Sequence, residues 1–563
     1  MFILIYLKSL TSIKVNDIKS VKGCDMQEVT IRVINEIICQ VVGLTDFDRD
    51  LLYKEYGVFI PSARYQPKYK IGLWDGKIHY FEKDGKTFIN LLGDIFTKID
   101  ASKYTFKLEA YEGFVQAEPF ELIDENYFSN FEWEKGHRLE GQPILLEPHQ
   151  VNGANALLSN QKGMICYSTG SGKTLISAVL AKKVCERGKF LIIVPSRDLV
   201  INTANQLNYL GIETGTAFEN DRIEEYSKNC VVTTWQGISS MYRRCKGKNY
   251  YQDKIKELEN KQTRSYYNHN EEEFKQIREE INELKIRSDE DIIKAHSELN
   301  ALKDGVIGFL FDEVHTAKSS ECKKILTETF PLVHIRWGCT GTIPKDKADS
   351  LCLFTAIGPV VESMTAKELQ DLGFLATCDI KMIKMKDTRL FTDYTTEYEV
   401  ITTDEVRMNY IAKYVYDVTE KYGNSLILVN RIKQGEILLE KLKRQGANVV
   451  FLQGSDSVKH RTEEYKNVND EMNKIIIATS QIASTGINMP RLFNLVLPDY
   501  GKSFVKVMQS IGRSLRLGSD KNHAFIHDIS STTKYANKHY RERKKFYTDA
   551  NLPIEEIKWT SWG

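Results

Sequence analysis

The residues at 167–174, YSTGSGKT, combine glycines, a lysine and a hydroxyl side chain in an order suited to binding phosphate groups. Glycines allow backbone N–H groups to turn inward and hold phosphate oxygens, and a helix that follows adds its positive N-terminal end. In this pattern Lys173 would reach the β- and γ-phosphates, and Thr174 would ligate Mg²⁺. Tyr167 stands where the first glycine of such a phosphate-binding loop (P-loop) usually lies. The segment predicts a site for a nucleoside triphosphate.

An acid pair ends an apolar run further along the chain. Residues 306–311, VIGFLF, lead directly into Asp312 and Glu313. Carboxylates at the carboxyl end of a buried strand lie where ligands bind in parallel sheets. Asp312 would hold the magnesium shell, and Glu313 would orient and deprotonate an attacking water. The pair predicts hydrolysis of the bound nucleotide.

Two further sets of polar residues could complete such a site. Gln150, upstream of the P-loop, carries an amide that could read the adenine edge, although an isolated glutamine is by default a solvent-facing side chain. Gln509, Arg513 and Arg516 are spaced i, i+4 and i+7, which places them on one helical face. Two cations there could neutralise charge on a transferring phosphate, and the alternative is an ordinary solvated basic helix.

These residues need strands that position them. Apolar runs at 190–194, 231–234 and 306–311 alternate with helical segments, which predicts a parallel α/β lobe. A second series repeats the pattern without a P-loop, with runs at 425–429, 449–452, 474–479 and 494–498. The predicted fold class is therefore α/β, with two tandem parallel-sheet lobes.

Composition sets limits on the kind of protein. A chain of 563 residues is too long for one hydrophobic core, and 42% hydrophobic with 27% charged residues is ordinary for a globular chain. The net charge is +1, so contacts with nucleic acid must come from local patches. The ten cysteines form no CxxC pair, which fits neither a zinc site nor a disulfide framework and suits a reducing cytoplasm. The apolar start is stopped by Lys8, too early for a signal sequence or a membrane span.

Residues 1–136 predict a small α+β accessory module. Val- and Ile-rich runs suggest strands, and residues 46–56 suggest a helix. The stretch at 64–81 interleaves basic with aromatic residues, among them Trp74. This stretch could hold a phosphate backbone and stack bases, or it could be a small β domain with an Asp-Gly hairpin at 75–76. Composition leaves the two interpretations open.

In their order along residues 140–520, these motifs resemble those of superfamily 2 helicases and translocases. The series is Gln150, STGSGKT, VPSRDL, TTWQ, DEVH, TGT, ATSQIASTGINMP and QSIGRSLR. Within the superfamily, FIPSARYQPKYKIGLWDGKI at 59–78, EPHQ at 147–150 and STGIN at 484–488 resemble the branch-migration helicases of T-even bacteriophages. The resemblance implies RecA-like lobes, ATP and Mg²⁺ as cofactors, single-stranded and branched DNA as partner, no membrane contact, and a phage-encoded protein.

The resemblance also implies roles for individual residues. ATP would lie against Gln150, Gly170, Ser171, Gly172, Lys173, Thr174, Gly486, Asn488 and Gln509, with Mg²⁺ at Thr174 and Asp312. Catalysis would depend on Lys173, Asp312, Glu313, Arg513 and Arg516. DNA would be held by Pro195, Ser196, Arg197, Thr234, Trp235, Asn430, Arg431 and Thr479, with Trp74 as a further contact. His315 and the turn at 340–342 would couple hydrolysis to the DNA site.

The expected organisation is an accessory DNA-contacting domain at 1–136, an ATP-binding lobe at 137–370 with an insertion at 249–303, and a second lobe at 371–563. The expected function is an ATP-dependent DNA helicase or translocase that remodels forks, junctions and recombination or repair intermediates. One alternative is a duplex translocase of a larger complex that never separates strands. The other is a nucleic-acid binding module that uses ATP only as a switch.

The insertion at 249–303 predicts a projecting helical hairpin, because the strands on either side normally need only a short connection. Apolar residues three and four apart form stripes on helical faces, namely Phe274, Ile277, Ile281 and Leu284, then Ile292, Ala295, Leu299 and Leu302. Polar stretches at 265–270 and 287–291 suggest turns. No catalytic motif lies inside, so the insertion could do nothing for catalysis, dock a protein partner, or act as a wedge against displaced DNA.

Overall fold

The computed structural model describes residues 26–111, 118–134, 139–168, 170–217, 223–267, 271–315, 324–344, 346–373, 377–456, 460, 463–465, 467–468, 471–479, 491–499, 501, 523–549 and 552–560. The chain divides into two compact units. The first comprises Met1–Ile123, Gly153–Ile165 and Ser177–Glu362. The second comprises Asp124–Asn152, Cys166–Ile176 and Ser363–Gly563. The domain boundaries expected from the sequence stay a prediction.

The N-terminal module is a small mixed α+β fold. Its strands are β1 (Gln27–Val33), β2 (Ile38–Val42), β3 (Gly57–Phe59), β4 (Lys77–His79), β5 (Lys86–Phe88) and β6 (Tyr104–Glu109), and its α-helices are α1 (Asp46–Glu55), α2 (Pro67–Lys70) and α3 (Leu92–Lys98). The four-stranded sheet has the order β5–β2–β1–β6, with β1 antiparallel to β2 and parallel to β6. Thr45 caps α1, because its hydroxyl accepts from the Asp48 backbone N–H at 3.2 Å.

Two features of this module differ from expectation. Asp75 and Gly76 do not form a two-residue hairpin, because α2 lies between the antiparallel strands β3 and β4. The module is also fastened to the first lobe. The Lys162 ammonium donates to a Glu36 carboxylate oxygen at 2.9 Å, and Glu36 is only 5% exposed. Because a buried charge needs its partner, removal of the whole module would leave Lys162 without one.

The first lobe is a seven-stranded sheet among the described residues, consisting of β7 (Lys162–Tyr167), β8 (Lys189–Val194), β9 (Thr214–Ala217), β10 (Cys230–Thr234), β11 (Val306–Asp312), β12 (Ile335–Thr340) and β13 (Val360–Met364). Their order is β13–β7–β12–β11–β8–β10–β9, and β9, β10, β8, β11 and β12 pair in parallel. Every residue of β8, β10 and β12 is buried, which explains the apolar run at 190–194 in β8. In β12 the buried Arg336 donates to backbone carbonyl oxygens instead.

Helices connect these strands in the α/β pattern. They are α4 (Pro148–Leu158), α5 (Lys173–Cys185), α6 (Arg197–Tyr209), α7 (Ile223–Tyr226), α8 (Trp235–Cys245), α9 (Tyr250–Tyr267), α10 (Glu271–Lys303), α11 (Lys347–Ala356) and α12 (Ala366–Asp371). Of these, α9 and α10 form the predicted helical insertion. Ile255 of α9 packs against Ile277, Ile281 and Leu284 of α10 in a buried cluster, so three of the four residues of the first predicted stripe are confirmed, whereas Phe274 packs against Tyr266.

The predicted turn at 287–291 is wrong, because α10 runs unbroken through it. The polar residues there form hydrogen bonds between helices. The Ser288 hydroxyl accepts from Gln252 at 2.9 Å, and Asp291 accepts from the Arg244 Nε at 2.9 Å. Further along α10, Leu299 and Leu302 belong to the core of the lobe itself. The insertion therefore has a projecting end and a base built into the lobe.

The second lobe has another seven-stranded sheet within the described ranges, and every strand pair in it is parallel. Its strands are β14 (Thr377–Met385), β15 (Ser425–Val429), β16 (Asn448–Leu452), β17 (Lys474–Thr479), β18 (Asn494–Pro498), β19 (His523–Ser531) and β20 (Ile554–Trp559), in the order β16–β17–β15–β18–β19–β14–β20. Its helices are α13 (Tyr394–Thr403), α14 (Glu405–Tyr422), α15 (Ile432–Arg444) and α16 (Lys534–Asp549). Two tandem parallel-sheet lobes are confirmed.

Helix α16 is fastened to this sheet by a buried ion pair. The Arg543 guanidinium donates to both carboxylate oxygens of Asp528 at 2.7 Å, and both side chains are fully buried. The Tyr547 hydroxyl also donates to Asp528, at 2.8 Å. Burial of the two charges is tolerated because the paired geometry satisfies them. None of the helices that the structure describes is long and apolar enough to cross a membrane.

We expect Arg543→Met to destabilise the second lobe by about 3–5 kcal/mol, because it leaves Asp528 buried and unpaired. Urea unfolding followed by circular dichroism measures the effect. Arg541→Met is the matched control, since Arg541 lies on the same helix and is exposed. Equal midpoints for the two variants would contradict the structural role of the pair.

We expect the insertion to tolerate trimming only beyond the pair formed by Lys254 and Glu280, whose charged atoms are 3.4 Å apart. Replacing 259–275 by a Gly-Ser linker removes the projecting end but keeps Leu258 and Ile277 of the buried cluster, so it should leave the thermal midpoint of the lobe nearly unchanged. Replacing 249–303 also removes Leu299 and Leu302 and should lower it strongly, because each lost core leucine costs about 2–5 kcal/mol. Equal stability of the two deletions would show that the base is dispensable.

Candidate nucleotide-binding site

The P-loop joins the end of β7 to the start of α5. Gly170 and Gly172 adopt φ of 92° and 77°, a left-handed backbone that favours glycine. Gly172 is also sterically restricted, since a Cβ there would lie 2.1 Å from the Gln150 Nε2. The strand–loop–helix context expected from the sequence is confirmed; Thr169 lies outside the described residues.

Side chains from the first turn of α4 hold the loop. The His149 Nε2–H donates to the Ser171 carbonyl oxygen at 2.8 Å, and the Gln150 Nε2 donates to the same oxygen at 3.2 Å. The Gln150 Oε1 accepts from the Glu147 backbone N–H at 3.0 Å. The Gln150 amide therefore contacts the P-loop backbone, and its adenine contact stays a prediction.

Tyr167 has a structural purpose at the position of the missing glycine. Its side chain is fully buried, and its hydroxyl donates to the His149 carbonyl oxygen at 2.9 Å. Burial lowers the pKa of His149, so the neutral imidazole that donates through Nε2 is favoured near neutral pH. Sequence reasoning missed both His149 and Tyr167. The available signal was that Tyr167 replaces the usual glycine of the loop and that a histidine, His149, directly precedes Gln150.

The loop residues fit a polyphosphate. The Ser171 hydroxyl is buried and has no hydrogen-bond partner among the described residues. The Lys173 ammonium donates to the carbonyl oxygens of Tyr167 at 3.0 Å and Ser168 at 3.4 Å, which places its charge at the loop. Thr174, in the first turn of α5, is exposed. A buried hydroxyl and a cation beside glycine N–H groups are the donors that phosphate oxygens require.

The acid pair follows β11 as expected. Asp312 is the last residue of the strand, and its Oδ1 accepts from the Glu313 backbone N–H at 2.9 Å. Glu313 has φ of 50°, a left-handed conformation that costs a non-glycine residue about 1–3 kcal/mol. Such strain concentrates at functional sites, so the backbone at Glu313 supports a chemical role.

The Glu313 carboxylate begins a chain of contacts to the end of β12. Its Oε2 lies 3.2 Å from the His315 Nδ1, which in turn lies 3.0 Å from the Thr340 Oγ1. The Thr340 hydroxyl donates to the Thr342 carbonyl oxygen at 2.9 Å, so His315 Nδ1–H is the donor to Thr340. The structure thus brings Glu313 together with His315 and Thr340, and the role expected for His315 and the turn at 340–342 in coupling hydrolysis to the DNA site stays a prediction.

The residues expected to hold DNA lie mostly where strands end and helices begin. The Ser196 hydroxyl caps α6 by accepting from the Leu199 N–H at 3.4 Å, and the Thr234 hydroxyl caps α8 by accepting from the Gly237 N–H at 3.0 Å. Pro195 and Arg197 flank the first cap, and Trp235 follows the second and is half-buried. Helix starts of this kind present N–H groups to anions.

In the second lobe, Asn430 and Arg431 follow β15, and Thr479 ends β17. The Arg431 guanidinium lies 5.8 Å from the ring centre of Tyr398. In the N-terminal module, Trp74 is half-buried and its indole N–H donates to the Lys77 carbonyl oxygen at 2.9 Å. Gly486, Asn488, Gln509, Arg513 and Arg516 lie outside the described residues.

Comparison with known families gives two matches in chain order. The family described as Type III restriction enzyme, res subunit, matches residues 143–345. The family described as Helicase conserved C-terminal domain matches residues 407–518. The first match contains the P-loop and the acid pair, and the second contains the predicted arginine helix.

Among curated proteins, the ATP-dependent DNA helicase uvsW of Enterobacteria phage T4 is 22% identical over 501 residues, which covers 86% of this chain and 87% of that protein. Putative helicase 161L of Invertebrate iridescent virus 6 is 31% identical over 166 residues, 28% of this chain and 36% of that protein. The crystal structure of T4 UvsW is 17% identical, with a TM-score of 0.42, and covers 95% of this chain and 99% of that one.

In this chain a P-loop precedes a region that matches the helicase C-terminal family. The phage DNA helicase aligns with most of this chain and with most of its own length. These findings establish ATP use and nucleic-acid binding. The chain is an ATP-dependent helicase of superfamily 2.

Proposed function

We propose that this helicase is phage-encoded and moves on DNA to remodel branched structures such as forks and junctions. The observation that carries the proposal is the length of the match to a phage DNA helicase, 86% of this chain, which is too long to be confined to residues 137–563 and so extends into the N-terminal module. A likeness confined to the two lobes would support a motor alone. The branched substrate rests on the resemblance of residues 59–78 to branch-migration helicases.

ATP would lie on the P-loop, with its phosphates against Gly170, Ser171, Gly172 and Lys173. The Ser171 hydroxyl, buried without a partner among the described residues, would then gain a phosphate oxygen. Mg²⁺ would be held by Thr174 and Asp312, and when bound it supplies neutralisation of charge on the phosphates. Gln150 would keep the loop in register while it contacts the base.

Glu313 would take a proton from the attacking water. The P-loop and the acid pair follow strands of one sheet, β7 and β11, with only β12 between them in the strand order. In α/β sheets, ligands bind beyond the carboxyl ends of the strands, which supports placing a water near the acid pair. Arg513 and Arg516 would neutralise charge on the transferring phosphate, and Gly486, Asn488 and Gln509 would complete the pocket.

The DNA backbone would be held at helix starts and strand ends of both lobes, by Pro195, Ser196, Arg197, Thr234, Trp235, Asn430, Arg431 and Thr479. Contacts to phosphates and sugars position a protein on DNA without reading sequence. The chain of contacts from Glu313 through His315 to Thr340 would link the hydrolytic residue to the end of β12. A motor needs such a link, because a conformational step must follow the chemical one.

The test is strand displacement on a forked DNA with the full chain and with Glu313→Gln. We expect the wild type to separate strands and the variant to lose about 10²–10⁴-fold in ATP turnover, because an amide cannot accept the proton of water. ATPase assays and gel-based displacement measure the two effects. Glu290→Gln, an exposed position on α10, is the matched control. Near-normal turnover of Glu313→Gln would remove Glu313 from the role of base.

A duplex translocase is the second candidate, favoured by the restriction-enzyme family that matches residues 143–345. It would displace a third strand from a triplex without separating a forked duplex. The same preparation assayed on a triplex and on a fork distinguishes the two functions. Triplex displacement without strand separation would replace the proposed function by this one.

The surface of the N-terminal module that would contact a fork is the tip at residues 64–73. Tyr65, Ile71 and Leu73 are 82%, 67% and 77% exposed, which is unusual for apolar side chains grouped together. Lys68 and Lys70 on the same tip are exposed as well. Basic and aromatic residues combined on one surface suit a nucleic-acid backbone and its bases. Trp74, whose indole N–H donates to the Lys77 carbonyl oxygen, would be a further DNA contact beside the tip.

We expect Lys68→Ala/Lys70→Ala to weaken binding to a fork at least about fivefold more than binding to a single strand. The reason is the loss of two cations from a surface outside the motor lobes. Fluorescence anisotropy with both DNAs at one salt concentration gives the ratio. The control is Lys54→Ala/Lys103→Ala, two exposed lysines elsewhere in the module. If the ratio of fork binding to single-strand binding is unchanged, the tip does not take part in fork recognition.

A further inference from the structure

A groove of about 550 Å³ lies where the insertion joins the first lobe. It is bounded by α8, by the turn at 246–249, by the start of α9 and by the middle of α10. The groove is large enough for a ligand-sized group, since pockets of about 300–1,000 Å³ hold small ligands. None of the catalytic residues discussed above lines it.

The charges in the groove are arranged to leave cations free. Arg244 forms an ion pair with Asp291 at 2.5 Å and another with Glu298 at 2.9 Å, so these charges satisfy one another. Arg243 and Lys248 line the same groove, are exposed, and have no ion-pair partner in the described ranges. Asp253 is the remaining carboxylate of the lining. The free charge is therefore predominantly positive, which suits an anionic ligand.

Aromatic surface lies beside the free cations. Tyr250 is 72% exposed at the start of α9, and its ring packs edge-on against Tyr251 at 5.7 Å between centres. Trp235, at the start of α8, also lines the groove. An exposed, rigidly supported tyrosine near unpaired cations is the combination that binds single-stranded nucleic acid, in which bases stack and phosphates pair with cations.

The groove continues from a position already proposed to hold DNA. Trp235 directly follows Thr234, whose hydroxyl caps α8. Arg243 lies eight residues after Trp235, about two turns further along the same helix. A strand whose backbone rests at the start of α8 would therefore meet Arg243 as it passes along the helix. An acidic peptide could satisfy the cations, but it would not account for this continuity or for the exposed aromatic ring.

We propose that this groove, formed jointly by α8 and the base of the insertion, binds a single-stranded segment of the nucleic acid. Arg243 and Lys248 contact phosphates, and Tyr250 stacks on a base. The proposal rests on the proposed function for the start of α8 and adds a role for the insertion: its base extends the strand path, and the polar residues of α10 at 288–291 hold the groove in shape.

The test measures binding of the full chain to a 20-residue oligothymidine by fluorescence anisotropy across a salt series. For Arg243→Ala/Lys248→Ala we expect weaker binding and a fall of about 1.4 in the slope of log affinity against log salt, since each lost single-strand phosphate contact removes about 0.7. The control, Lys275→Ala/Lys285→Ala, removes the same charge from exposed positions of α10 outside the groove and should keep the wild-type slope.

Tyr250→Ala separates stacking from charge. We expect at least about fivefold weaker binding to oligothymidine, and unchanged binding to an abasic oligonucleotide of the same length, because only the former has bases to stack. Thermal unfolding midpoints confirm that the exposed substitutions leave the fold intact. If the wild type binds oligothymidine and the groove variants bind it as tightly as the Lys275→Ala/Lys285→Ala control, the groove proposal is wrong and the proposed function is unaffected. Failure of the wild type to bind any oligonucleotide would overturn the proposed function with it.

Discussion

The Ser171 carbonyl oxygen accepts hydrogen bonds from both His149 and Gln150, and the shape of the P-loop depends on this shared acceptor. Gly172 must follow it without a side chain, because Gln150 occupies the space a Cβ would need. Tyr167 completes the arrangement by donating to the His149 carbonyl oxygen. The tyrosine that stands in place of the usual glycine is therefore a brace for the loop, and Gly170 and Gly172 remain the glycines proposed to face the phosphates.

Much of the fold could be predicted because buried parallel strands are largely apolar runs, as in β8 and β15, which are buried at every residue. The stretch at 287–291 misled prediction for the opposite reason. Its residues are polar, yet Ser288 is fully buried and bonded to the neighbouring helix. A polar residue can be buried when a hydrogen-bond partner lies nearby. Such a partner on another helix cannot be recognised from the local sequence.

The same limit applies to the N-terminal module. Glu36 and Lys162 are 126 positions apart in the chain, and each alone is an ordinary charged residue. Their pairing in a buried setting makes the module part of the lobe, which no composition shift could indicate. In the second lobe, Arg543 lies among several basic residues of α16, and nothing in that local sequence distinguishes it, although it is fully buried against Asp528. Sequence gives the sign of a charge but not its environment, so buried ion pairs are where prediction of sites from patterns is least secure.

The strained backbone at Glu313 connects these structural constraints to the motor. A left-handed glutamate costs about 1–3 kcal/mol, and it persists here because β11 is buried and the Asp312 carboxylate holds the Glu313 N–H. The carboxylate of this strained residue contacts His315, which contacts Thr340 at the end of β12. A small shift of the turn at 340–342 would therefore move the group proposed to activate water. Packed elements switch between discrete arrangements rather than deform gradually, and for this reason we propose this short chain of contacts as the link between hydrolysis and the position of the nucleic acid.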